Sequence, residues 1–189
     1  TLLIGIYYLL IKSENEKAET GGPIMADEKD IIHLTLKDGV VKIETRPDLA
    51  PKHVAQIKQL ISEGQYDGVI FHRVIDGFMA QTGDVEFGNS LNDKFNVSRA
   101  GTGGSNLPNI PAEFSDANHG RGVLSMARAQ DPNSANSQFF IVFNDASVVD
   151  GQYTVWGQVV EGMDLVDNIA RGEPPQDPDK IIKMEIITE

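Results

Sequence analysis

The chain has no cysteine. That removes disulfide frameworks, thiolate-bound zinc and a catalytic thiol together, and it fits a reducing compartment. Positive charge is scarce: 16 Lys and Arg stand against 28 Asp and Glu, for a formal net charge of −12. A basic footprint for nucleic acid or anionic lipid is therefore missing. Long apolar runs are missing too. The run Thr1 to Ile11, TLLIGIYYLLI, falls well short of the roughly 20 residues a spanning helix needs. It also lacks the basic flank and small-residue cleavage site of a signal peptide. Neither G-x-S-x-G nor H-E-x-x-H occurs, so a hydrolase elbow and a zincin helix are both excluded. The four histidines, His33, His53, His72 and His119, show no metal-ligand spacing. Nothing in the chain calls for a cofactor or a metal.

What is present is enough apolar sequence for one core: 40% of 189 residues are hydrophobic and 23% charged. Residues 1–29 read as an N-terminal arm outside the fold, with Met25 opening MADEKD as a natural start. Three readings of the apolar stretch are open: an over-extended upstream start, the stub of a truncated membrane anchor, or an appended arm. Residues 30–189 are the expected folded unit. Alternating runs at 31–36 and 40–44 flank Lys37-Asp38-Gly39 and predict a hairpin. A helix should follow, with Asp48 as its cap, Pro51 in its first turn and a stripe of Val54, Ile57, Leu60 and Ile61. Gly64 stops it. Further strands are expected at 69–74, 78–83, 123–128, 139–143, 154–160 and 180–188, with a second short helix at 162–170. Many short strands without βαβ alternation predict a closed antiparallel barrel, its ends covered by the two helices. Between Glu86 and Glu113 no period holds, and glycines and prolines accumulate, so a long surface loop is expected there. Within it, Gly101-Thr102-Gly103-Gly104-Ser105 looks like a phosphate cradle but lacks the Lys-Ser/Thr ending and a following helix.

Two segments gather a cation, amides and flexible apolar side chains: FHRVIDGFMAQTGD (71–84) and SMARAQDPNSANSQFFIVF (125–143). Arg73 in an otherwise apolar strand is unusual, since arginine is seldom buried without a partner. These two blocks resemble the signature blocks of the cyclophilins, the peptidyl-prolyl cis-trans isomerases. The order of elements is similar from about Ile31 to Thr188, and Met-Ala-Arg at 126–128 together with Tyr153 resembles the bacterial branch.

The resemblance implies a mainly β fold, a closed eight-stranded antiparallel barrel capped by two α-helices, with a substrate groove on its outer face. It implies that Arg73 is the catalytic arginine. Phe78, Met79 and Phe140 would line the proline pocket, with Gln81 and Gln138 as polar partners. Ala127, Arg128 and Ala129 would carry the peptide, Arg128 through its backbone. Gly101 would flank the adjoining subsite, and Val149 and Tyr153 would form the remaining wall. The implied partners are proline-containing segments of unfolded or flexible proteins, met by a cytoplasmic monomer without cofactor. Val148 stands where drug-sensitive members carry a tryptophan, so tight cyclosporin binding is not expected. Residues 85–100 form an insert beside the groove. A barrel that holds proline segments without catalysing is the competing reading, and the Arg73, Phe78, Met79, Gln81, Phe140 set argues against it.

Overall fold

In the computed structural model, which describes residues 29–187, eight strands form one antiparallel sheet. The N-terminal arm expected at 1–29 lies almost wholly outside the described residues. The strands are β1 (Ile31–Leu36), β2 (Gly39–Thr45), β3 (Arg73–Ile75), β4 (Met79–Thr82), β5 (Val123–Met126), β6 (Phe139–Val142), β7 (Val155–Glu161) and β8 (Lys183–Ile187). Two α-helices, α1 (Pro51–Ser62) and α2 (Met163–Asp167), and one 3-10 turn (Ser147–Val149) complete the regular structure among the described residues. The sheet order is β3-β4-β6-β5-β7-β2-β1-β8.

The predicted hairpin is β1–β2, in register from Ile31 opposite Glu44 to Leu36 opposite Gly39. Helix α1 buries the predicted stripe and His53 besides. Its end is a Schellman motif: Gly64 at φ 66° lets the Gln65 N–H reach the Leu60 carbonyl at 2.9 Å. Its start differs from expectation. Asp48 is paired with Arg46 and does not cap; the N-cap residue is Ala50, which has no side-chain acceptor. The cap comes from the carboxylate of Glu113, which accepts from the N–H groups of Lys52 and His53 at 3.1–3.2 Å. A carboxylate there satisfies two orphan donors and sits favourably at the positive end of the helix.

The barrel expected to be closed is open, a half-barrel. β3 and β8 form no ladder with each other, and single bridges connect the segments near them: Ile70 with Lys180, and Val74 with Gly172. Between Gly172 and β8 the chain carries Pro174, Pro175 and Pro178, which have no N–H to give a ladder. For the same reason the strand predicted at 69–74 shrinks to Arg73–Ile75. Residues 69–71 instead exchange single bonds with neighbouring loops, such as Phe71 N–H to the Asp179 carbonyl at 2.8 Å.

The sheet has two apolar faces. Inside, Ile32, Leu34, Ile43, Leu124, Met126, Phe139, Ile141 and Trp156 join the α1 stripe in one core. Trp156, expected in the core, is fully buried, edge-on to Phe139 with centroids 5.3 Å apart. Outside, Met79, Val123, Phe140, Val142 and Val155 form a second cluster, flanked by Phe78, Ala127, Val149 and Tyr153. The alternation of side chains along β4, β5, β6 and β7 makes both clusters from the same strands.

Candidate active site

The second cluster is incompletely covered, and a cavity of about 280 Å³ opens in it. Its lining is Arg73, Phe78, Met79, Gln81, Ala127, Arg128, Phe140, Val149 and Tyr153. All nine were singled out from the sequence, and strand register explains their meeting. Arg73 on β3 lies opposite Gln81 on β4, which lies opposite Phe140 on β6. Phe140 is the floor: Tyr153 meets it edge-on at 5.7 Å, and Phe78 lies tilted at 6.5 Å.

A second cavity, about 380 Å³, adjoins the first across Gln81, Ala127 and Arg128, which line both. Gly101, Ala129 and Gln138 line this one, and not the apolar cavity. The sequence-derived set is thus divided between two chambers, a greasy one and a polar one. Thr102 to Ser105, Asn109, Ser134, Asn136 and Ser137 complete the polar chamber and were not foreseen as site residues. Asn136 is its brace: its Oδ1 accepts from the Ser105 N–H and hydroxyl, both at 2.7 Å, and its Nδ2 donates to the Leu107 carbonyl. Val148 is exposed and lines neither chamber.

Polar contacts cross the site in a chain. The Arg73 Nε–H donates to Glu173 at 2.6 Å, and Nη1 makes a long 3.4 Å contact with Gln81 Oε1. Gln81 Nε2 donates to Gln138 Oε1 at 3.0 Å, and Gln138 Nε2 donates to the carbonyls of Gly101 and Gly103. A guanidinium has five N–H donors, so most of the terminal N–H groups of Arg73 stay without a partner among the described residues. Arg128 is arranged differently. Its guanidinium donates to the carbonyls of Gln152 and Ala129 and lies 4.7 Å from the Tyr153 ring centre. Its side chain is held against Tyr153 and the Gln152 and Ala129 carbonyls.

The glycine-rich turn is tied to the protein's own carboxylate. Asp84 is fully buried, and its two oxygens accept from the N–H groups of Glu86, Phe87, Gly101 and Gly103 at 2.7–3.0 Å. A Cβ on Gly103 would come within 2.6 Å of Asp84 Oδ1. The N–H groups that a phosphate would need are therefore occupied. Beneath the same turn lies His72, buried, with neither ring nitrogen hydrogen-bonded among the described residues. Burial pushes its pKa down to about 4, so the ring is neutral. His53 is buried too, but its Nδ1 meets Glu113 at 2.7 Å; desolvation still lowers its pKa. His119 bridges Asp150 at 2.8 Å and Ser125 Oγ at 3.0 Å, the connectivity of a hydrolytic triad. Ser125 is fully buried and donates to the Thr154 carbonyl, so it presents no nucleophile to the groove.

Residues 31–186 match the family model described as "Cyclophilin type peptidyl-prolyl cis-trans isomerase/CLD". The chain belongs to the cyclophilins. A Brucella abortus relative named "Probable peptidyl-prolyl cis-trans isomerase" is 60% identical over 166 residues, 85% of this chain and 84% of the relative. Among solved structures, a cyclophilin from Hirschia baltica superposes with a TM-score of 0.71 at 28% identity, covering 89% of this chain and 80% of its own. A Cryptosporidium parvum cyclophilin determined in the presence of the dipeptide Ala-Pro has a TM-score of 0.71 at 26% identity, covering 84% and 99%. The protein is accordingly a peptidyl-prolyl cis-trans isomerase of the cyclophilin type, a family that binds proline-containing peptides and assists folding.

Glu173 was not foreseen. Its only signal in the sequence is Gly172 before Pro174-Pro175, which marks a bend without saying what the bend approaches.

Proposed function

We propose that Arg73 catalyses rotation about X–Pro bonds while the cavity of Phe78, Met79 and Phe140 holds the pyrrolidine ring. Rotation about the bond faces a barrier of about 20 kcal/mol because it breaks amide resonance. At mid-rotation the prolyl nitrogen turns pyramidal and regains its lone pair. A guanidinium N–H can donate to that lone pair only then, so the contact favours the transition state over either planar isomer. The apolar walls clamp the ring while the acyl side turns, and they desolvate an amide that becomes less polar as it twists. No nucleophile is required. The supporting observation is a single one: a guanidinium with unused N–H groups borders a cavity otherwise lined mainly by apolar side chains.

The residues preceding proline would lie along Ala127, Arg128 and Ala129 and reach the polar chamber flanked by Gly101 and Gln138. Gln81, bordering both chambers, joins the two halves of the groove. Tyr153 and Val149 close the far wall. Substrates are proline segments of unfolded or flexible chains, and the working unit is residues 30–189 as a monomer in the cytoplasm. With Val148 where drug-sensitive members carry a tryptophan, cyclosporin should bind weakly. Replacing Arg73 by alanine tests the proposal. Turnover of an Ala-Pro peptide in a protease-coupled assay should fall by about 10² or more, the usual loss for one transition-state donor, with the circular dichroism spectrum unchanged. An unaltered rate would remove Arg73 from the mechanism.

A further inference from the structure

We infer that Glu173 is a positioning residue for the isomerisation: it holds the Arg73 guanidinium through Nε and leaves the terminal N–H groups for the prolyl nitrogen. The inference rests on the reading of Arg73 as the catalytic cation.

The pairing is built by backbone. Val74 and Gly172 exchange both N–H···O bonds, at 2.8 and 2.9 Å, as an isolated antiparallel bridge. One step along in each direction, Arg73 and Glu173 face each other at a position where side chains stand close. The residues around Glu173 leave it little freedom. A Cβ on Gly172, at φ 144°, would come within 2.7 Å of Pro175 Cα and 2.9 Å of the Pro174 carbonyl oxygen, so the bend is compatible with glycine alone. Two prolines then fix the exit. On the other side, Arg171 is tied to Asp76 at 3.1 Å and to the Asp167 carbonyl at 2.7 Å, with its guanidinium 4.3 Å from the Phe143 ring centre.

The atom that Glu173 grips is informative. Arg73 is 43% exposed in its side chain, and a free arginine at that exposure samples many rotamers. Its other contact, the 3.4 Å approach to Gln81, is too long to fix the plane. A carboxylate on Nε orients the fork and takes none of the terminal N–H groups. An exposed ion pair of this kind contributes little to stability, so its effect should appear in catalysis.

The experiment is a mutant cycle on the full chain, with NMR exchange rates on an Ala-Pro peptide at high enzyme concentration. Glu173→Ala should lower kcat by about tenfold, an effect expected of lost orientation, with KM and the thermal midpoint unchanged. Glu173→Gln keeps an acceptor for Nε–H and should stay within about threefold of wild type. In the Arg73→Ala background, Glu173→Ala should cost nothing further. The Arg73 Nε–H resonance should shift and exchange faster in Glu173→Ala. Wild-type or higher activity in Glu173→Ala, a full tenfold loss in the Arg73→Ala background, or an unmoved Nε–H resonance would each overturn the inference. Full activity in Arg73→Ala alone would instead refute the reading of Arg73, which separates the two failures.

Discussion

Every residue of β5 and β6 is buried, whereas β1 alternates buried with half-exposed positions and β8 buries only Met184 of its five residues. An antiparallel strand with one face in water should alternate, as β1 does. β5 and β6 depart from that because their second face also packs, under Phe78, Ala127, Val149 and Tyr153. The groove is the gap in this second covering. A proline ring entering it would complete a layer of packing that the protein leaves open.

The sharpest way to break this comparison is to truncate neighbours on β6 that face opposite ways. Phe139 points into the main core and is fully buried; Phe140 floors the groove. Phe139→Ala should lose about 4 kcal/mol in urea denaturation, as buried aromatic truncations do. Phe140→Ala should lose clearly less and raise KM for proline peptides, because one side of its ring already borders a cavity. Equal stability losses with unchanged KM would mean that the outer face is ordinary core.

Two of the three buried histidines sharpen it next. His72 lies under the glycine turn at Gly101 without a hydrogen-bond partner among the described residues, and His53 lies at α1 with Glu113. His72 has a pKa of about 4 in the folded protein against 6.5 for the free side chain. The unfolded chain therefore binds the extra proton first. Stability from this group is complete above pH 6.5 and is lost as the pH falls towards 4, by about 3 kcal/mol in total. Urea midpoints between pH 7 and 5 should fall in the wild type and fall less in His72→Leu. Identical pH slopes would show that His72 is not the group responsible.

The smallest effect concerns the cap. Glu113→Ala removes the acceptor for two helix N–H groups and for His53, and should cost about 2 kcal/mol. Asp48→Ala, at the cap position read from sequence, should stay within about 0.5 kcal/mol. Equal losses in thermal melts would restore Asp48.

That last pair shows where sequence was readable. Periodicity located α1, the hairpin and the short strands β5 and β6, since these depend on neighbours in the chain. Seven of the nine residues of the apolar cavity were legible through the two signature blocks, and Val149 and Tyr153 through the wider resemblance. What escaped depends on distant partners. Glu113 reaches α1 from 61 residues away and Glu173 reaches Arg73 from 100. Nothing local in either stretch marks the target. The closed barrel failed likewise: whether two edge strands meet depends on what lies between them, and here proline-rich chain does.

Asp84 has a consequence for engineering. Because one interior carboxylate fastens both the departing chain at Glu86 and Phe87 and the returning chain at Gly101 and Gly103, the excursion between behaves like a loop on a clasp. Foreign sequence spliced into its outer part, around the exposed Leu91, would be displayed at the surface while the clasp keeps the catalytic scaffold in shape.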